Sequence, residues 1–321
     1  MIVRQHLTDE PGKSNQTHVT AFSGTRQADF FNRFLISCSC ILFRIIIRLR
    51  TQGYDPLLQA SATTMKSQIT ILGSGTCVPS LERNPCSFLM KTDGENLLFD
   101  CGPGTMRRLL EAGVSIFDIS YIFLSHFHPD HSGELASFLF ALKYPAPSSQ
   151  KRPLTLVAGQ GFRSFFERLQ TVYGNWIVLP PGMLTVVELD TQKADHHAFP
   201  SFTVSSMPVA HRPESLAYRV SDADGKILVY SGDSDVCDSL TAIAANADLM
   251  ICESAFPDDQ KVDGHLTPAL AGKIAQDANV KQLVLTHFYP ACENADIENQ
   301  CRSTYNGVLV LAQDLMTLTL G

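Results

Sequence analysis

Nine cysteines are present, but none form a CxxC pair or any regular spacing. That sets aside a disulfide framework and points to reduced, mostly buried thiols in a cytoplasmic protein. Cys77, Cys86 and Cys101 flank motifs and are read as packing residues. Long apolar runs are also missing. The longest, Phe34–Phe43, gives ten apolar or small residues before Arg44, too few to cross a bilayer. More than thirty residues precede it and arginines follow it, the reverse of a secretory leader. No stable membrane insertion is expected. A broad basic field is absent as well. The net charge is −7; residues 1–64 carry seven Lys/Arg against four Asp/Glu, and residues 65–321 carry eighteen against twenty-eight. An acidic body does not favour nucleic acid as a partner, although RNA stays possible. There is no internal repeat, low-complexity segment or long linker.

With 45% apolar and 18% charged residues, the 321-residue chain has the make-up of a globular enzyme with a sizeable core. Its first 64 residues differ from the rest. They are polar to residue 30, lack a sustained period, and end in the short apolar run. They are expected to be a disordered extension or a weak membrane-surface or targeting element. Met65-Lys-Ser-Gln-Ile-Thr-Ile-Leu-Gly73 reads as a domain start, so residues 65–321 are expected to form one domain.

The densest chemistry is Ser125-His-Phe-His-Pro-Asp-His131, with three histidines and one aspartate in six consecutive residues. It follows the apolar run Ile119–Leu124, expected as a buried strand, and leads into an expected helix over Ser132–Leu142. His126 and His128 alternate by two, so in extended backbone they face one metal position. Asp130 and His131 lie past Pro129, which turns the chain toward a second. Imidazole and carboxylate are ligands that borderline divalent cations such as zinc prefer.

The remaining chain reads as strands at Gln68–Leu72, Ser87–Thr92, Asn96–Phe99, Thr155–Ala158, Leu184–Leu189 and Phe202–Ser206, first in hairpins and then interleaved with helices. The turn at Asp93-Gly94 is a hairpin signal. This order favours a mixed α/β domain. Gly73-x-Gly75 lacks the third glycine and the lysine of phosphate cradles and is read as a tight turn clearing room beside the metals. Downstream, three strands each deliver a ligand type at their ends: His211, Asp233 after Gly232, and His287.

Together these motifs resemble the metallo-β-lactamase superfamily from Gln68 onward. That resemblance implies a four-layer αββα sandwich. It implies that His126, His128 and His211 hold one metal, that Asp130, His131 and His287 hold the other, and that Asp233 bridges them. Two Zn²⁺ ions are implied, with Mn²⁺ or Fe²⁺ as substitutes, sharing a hydroxide nucleophile. Asp100 is similar to the family's acid that orients a ligand histidine, or else it is a turn former before Gly102. The branch most similar is that of ribonuclease Z, through Gly73–Pro79, Arg83-Asn84, Leu98–Thr105, Glu253–Phe256 and Gly264–Thr267. By that resemblance His265 donates a proton to the leaving oxygen, assisted by Glu253, so that Asp130, His265 and Glu253 are the candidate catalytic residues. That branch carries a long RNA-gripping arm; here the matching strands are joined only by Ser221–Lys226. The expectation is a dinuclear-zinc hydrolase of phosphodiesters or related small anionic esters, with a homodimer allowed. The alternatives are a ribonuclease Z-type endoribonuclease for transfer-RNA 3′ ends and a non-catalytic metal-binding protein.

Overall fold

Apolar residues on both faces of successive strands force a layered structure. The computed structural model describes residues 66–144 and 152–321; the expectations for residues 1–64 lie outside the described residues. β1 (Gln68–Gly73), β2 (Ser87–Thr92) and β3 (Glu95–Phe99) form an antiparallel meander. Helical crossovers then take over, as parallel pairing requires. α1 (Thr105–Glu111) leads to β4 (Tyr121–Phe123). α2 (Pro129–Ser132) and α3 (Leu135–Lys143) lead to β5 (Leu154–Gly159), and α4 (Phe162–Tyr173) leads to β6 (Leu184–Leu189). The pairs β3–β4, β4–β5 and β5–β6 are all parallel.

The second half repeats this logic. β7 (Asp195–Ala198), β8 (Thr203–Pro208), β9 (Leu216–Ser221) and β10 (Ile227–Tyr230) pair antiparallel. α5 (Asp238–Ile243), β11 (Leu249–Glu253), α6 (Pro268–Asp277), β12 (Gln282–Thr286), α7 (Ile297–Arg302) and β13 (Val308–Leu311) follow, with the strands parallel. β14 (Thr317–Thr319) returns to pair with β1. The two seven-stranded sheets run β14-β1-β2-β3-β4-β5-β6 and β13-β12-β11-β10-β9-β8-β7.

Side-chain alternation divides the first sheet between two cores. Phe88, Met90, Leu97, Phe99 and Phe123 join Tyr218, Val220 and Tyr230 of the second sheet in one. Leu89, Leu98, Ile122 and Leu124 pack with Leu109, Leu135, Phe138 and Phe162 in the other. The Phe88, Phe99 and Phe123 rings stack in sequence at 4.5 and 4.7 Å. The result is the expected αββα sandwich.

Several local expectations are corrected. The strand over Ile119–Leu124 narrows to Tyr121–Phe123. The helix over Ser132–Leu142 is two helices broken at Gly133-Glu134, and the first starts at Pro129, which suits a first helical position. Gly73 and Gly75 do not clear room for metals. Cβ atoms there would meet Pro85 O at 2.0 Å and Arg83 Cβ at 2.8 Å, so the glycines admit the 83–85 segment. Cys86 and Cys101 are buried, but Cys77 is exposed and is not a packing residue. β7 went unforeseen because Asp-His-His-Ala has no apolar alternation; backbone pairing with β8 holds it.

Candidate metal centre

The chemistry sits where strands end. Asp100 follows β3, His126 follows β4, Asp233 follows β10, and His287 follows β12; Glu253 is the last residue of β11. These are carboxyl ends of parallel strands, where α/β sheets generally open a ligand crevice. His211 comes from the loop after β8. The helical turn α2 carries Asp130 and His131.

All seven residues expected as ligands are brought together. One group is His126, His128, His211 and Asp233; another is Asp130, His131 and His287; within each group the ligand atoms lie within 4.8 Å of one another. Asp233 faces both. Its Oδ2 is 3.7 Å from His126 Nε2 and 3.9 Å from His211 Nε2. Its Oδ1 is 3.3 Å from His131 Nε2 and 3.4 Å from His287 Nε2. Asp130 Oδ2 lies 3.6 Å from His287 Nε2.

The outer nitrogens are tied down, which aims the inner ones. His131 Nδ1 donates to Asp100 Oδ2 at 2.7 Å, His126 Nδ1 to Ser125 Oγ at 3.1 Å, and His211 Nδ1 to Gly264 O at 2.9 Å. Each ring thereby presents Nε2 inward as an acceptor. The inner nitrogens crowd one another: His131 and His287 Nε2 lie at 3.3 Å, His211 Nε2 and His128 Nδ1 at 3.2 Å. His126 Nε2 and Asp233 Oδ1 are buried with no hydrogen-bond partner. Orphaned buried acceptors are costly, and a divalent cation at each group satisfies them. The residues fit metal.

Electrostatics agree for three of the rings; burial would lower His131 as well, but Asp233 and Asp100 beside it more than offset this and hold it well above the usual imidazole range. Burial, followed by repulsion from His131, pushes His126 well below the usual imidazole range. Burial lowers His128 and His211 too, so these rings stay neutral and able to ligate. Burial would raise Asp233, yet His131 and His287 beside it hold its carboxyl well below the usual range.

Asp100 serves both readings made of it. Its φ of 58° turns the chain, and its carboxylate accepts from His131, Ser125 N at 2.7 Å, Ser125 Oγ at 2.9 Å and Tyr230 Oη at 2.6 Å. Tyr230, Ser125 and Asp235 escaped the sequence reading. Asp235 accepts from Lys261 Nζ at 2.8 Å and Gly264 N at 2.9 Å, fixing the loop that holds both His211 and His265. Only its place two residues past Asp233 hinted at this.

His265 sits beside the groups, its Nδ1 3.0 Å from Glu253 Oε1 and 3.9 Å from Asp233 Oδ2. It also lies within ligand range of Asp233 and His287. Glu253 is buried and accepts from Ser234 N at 2.7 Å. Burial pulls His265 down, but Glu253 more than offsets this and leaves its pKa raised.

This sandwich, with histidine and aspartate groups at the ends of its strands, defines a metallo-hydrolase. Residues 95–288 match the family described as the Beta-lactamase superfamily domain, and the chain belongs to that family. It is similar to proteins called Ribonuclease Z. The Streptomyces avermitilis protein is 30% identical over 301 residues, covering 78% of this chain and 96% of that one. The Streptomyces coelicolor protein is 29% identical over 297 residues, covering 77% and 96%. Among solved structures, human tRNase Z, short form, superposes with a TM-score of 0.64 at 26% identity, covering 79% of this chain and 99% of that one. A Bacillus subtilis metallo-beta-lactamase fold protein shares the fold at a TM-score of 0.68 and 22% identity, covering 79% and 100%. The chain is a metal-dependent hydrolase that resembles ribonuclease Z. No helix among the described residues is long and apolar enough to cross a membrane.

Proposed function

We propose that this protein is a dinuclear-zinc phosphodiesterase acting on small anionic diesters, with residues 65–321 as its catalytic domain. The observation that carries this reading is Asp233, whose two oxygens face two separate ligand groups, beside a histidine that is free to donate a proton. His126, His128 and His211 would hold one ion, and Asp130, His131 and His287 the other. Nitrogen and oxygen donors suit zinc, with manganese or iron as substitutes. Bound there, the ions would supply an activated water and neutralise charge on the phosphoryl oxygens.

The chain's own residues do the rest. Asp100, Ser125 and the Gly264 carbonyl keep the ligand rings oriented. Glu253 holds His265 through Nδ1, which leaves Nε2 to deliver a proton to the leaving oxygen. Such a donor contributes about 10²–10⁴ in rate.

A ribonuclease Z-type reading on transfer-RNA 3′ ends has its own support, since the Streptomyces relatives align over 96% of their length. Against it stands the connection from β9 to β10. Ser221 pairs with Ile227, and Asp222 closes the turn by accepting from Lys226 N at 2.8 Å, so no arm leaves the fold there. Metal-loaded protein assayed on phosphodiesters, lactones, sulfate esters and pre-transfer-RNA separates the readings. Faster turnover of the small diesters is expected; preference for pre-transfer-RNA would transfer the assignment to the second reading. Elemental analysis should find about two zinc ions per chain, and Asp233→Ala should loosen both. One tightly held ion, unchanged in the variant, would overturn the dinuclear site.

A further inference from the structure

Two aromatic residues at the site belong to neither core. Phe256 lies three residues past the end of β11, and Tyr289 two residues past His287. Their rings stack at 4.3 Å with an interplanar angle of 18°. Both are half-buried, and neither packs into either hydrophobic cluster. The pair is held firmly, since Tyr289 N donates to Ala255 O at 3.1 Å. It stands edge-on to the proton donor: the Phe256 and Tyr289 rings are 6.2 and 6.3 Å from that of His265, at 68° and 71°. Tyr289 is also 6.1 Å from His287. The Tyr289 hydroxyl is not anchored in the fold. Here the hydroxyl meets only the exposed Cys77 thiol at 3.5 Å, which is weak and easily exchanged.

An aromatic wall that fills no core, on the proton donor's side of the metal groups, has a use if the leaving group carries a flat ring. We infer that Phe256 and Tyr289 form a stacking platform for the base of a nucleoside that departs through its ribose oxygen. This rests on the proposed phosphodiesterase reading and narrows its substrates to nucleotide diesters with a base on the leaving side. A sugar ring joins a base to its ribose oxygen, a span comparable with the separation of His265 from the two rings. Stacking suits any base, because every base has a π face. The wall therefore selects for a nucleoside without reading its sequence.

The test uses the metal-loaded full chain and two short single-stranded oligonucleotides. They are identical except that in one the nucleoside leaving through its 3′ oxygen is abasic, so the leaving oxygens match in basicity. Wild-type kcat/KM should favour the base-bearing substrate about ten-fold or more. Phe256→Leu and Tyr289→Leu should each bring that ratio toward one, and Tyr289→Phe, which keeps the ring, should restore it. A wild-type ratio near one, or a ratio that survives both leucine variants, overturns the platform. Equilibrium binding provides a second readout, with oligonucleotides ending in a 3′-hydroxyl nucleoside or in an abasic sugar. If wild type cleaves neither substrate, turnover of the small diesters decides the phosphodiesterase reading on its own. The binding arm still decides on the platform: tighter binding of the base-bearing end, lost in the leucine variants, supports it, and equal binding overturns it.

Discussion

His265 differs from the other histidines of the site in what its inner and outer nitrogens do. The rings of His126, His131 and His211 have Nδ1 tied to oxygen acceptors and Nε2 pointing into the ligand groups. His265 has Nδ1 on the buried Glu253 carboxylate, whose charge leaves the ring's pKa raised despite partial burial. The protonated form is the donor, and it is lost only as pH rises through that raised value. Turnover of an alkoxide-leaving diester should accordingly fall on the alkaline side, above the usual imidazole value of about 6.5. Glu253→Gln should move that fall to lower pH. His265→Ala should keep full metal content. It should lose about 10²–10⁴ in rate on the alkoxide substrate and little on a nitrophenyl ester, whose leaving group needs no proton. Equal mild losses on both substrates would make His265 structural, and lost metal would make it a ligand.

At the scale of elements, the ligand turn α2 is locked against the loop after β3. Cys101 N donates to His131 O at 2.7 Å, and Glu134 N donates to Cys101 O at 2.9 Å. Gly102 makes this contact possible, because a Cβ there would lie 1.9 Å from Asp130 O. Gly102→Ala should therefore displace the turn that bears Asp130 and His131. A stability loss of about 1–3 kcal/mol is expected, as for other overpacked sites. Metal should be lost with it. Gly94→Ala is the comparison: a Cβ at that position meets nothing within 4 Å, and the strain comes only from its φ of 80°. It should lower thermal stability while leaving metal content intact, as elemental analysis and a melting curve would show. Metal retained in Gly102→Ala would mean the turn is placed by other contacts.

For the whole molecule, the seven candidate ligands and the two cores seen among the described residues lie beyond residue 65. A chain starting at Met65 should fold, remain soluble and bind metal as the full chain does. Insolubility of that chain, alongside an active full-length protein, would move the boundary. The first sheet closes on β14, whose residues Thr317–Thr319 pair with Gln68–Thr70, so both ends of residues 65–321 are needed for one sheet.

Much of this was legible in order along the chain. Four candidate ligands in six residues after an apolar strand, then a histidine or aspartate at the ends of three later strands, specify residue chemistry and the side of each strand. Those are local properties of spacing and periodicity. The same locality explains what stayed hidden. Tyr230 reads as the end of a buried strand until the fold brings its hydroxyl 2.6 Å from Asp100. Asp235 reads as a surface acid until it captures Lys261 and Gly264. β7 has no pattern, and Phe256 and Tyr289, 33 positions apart in sequence, reveal nothing singly. Which side chains face one another across separate strands depends on how two sheets pack and register. That is decided by the packing of apolar faces assembled from strands far apart in the chain, not by any one segment's spacing.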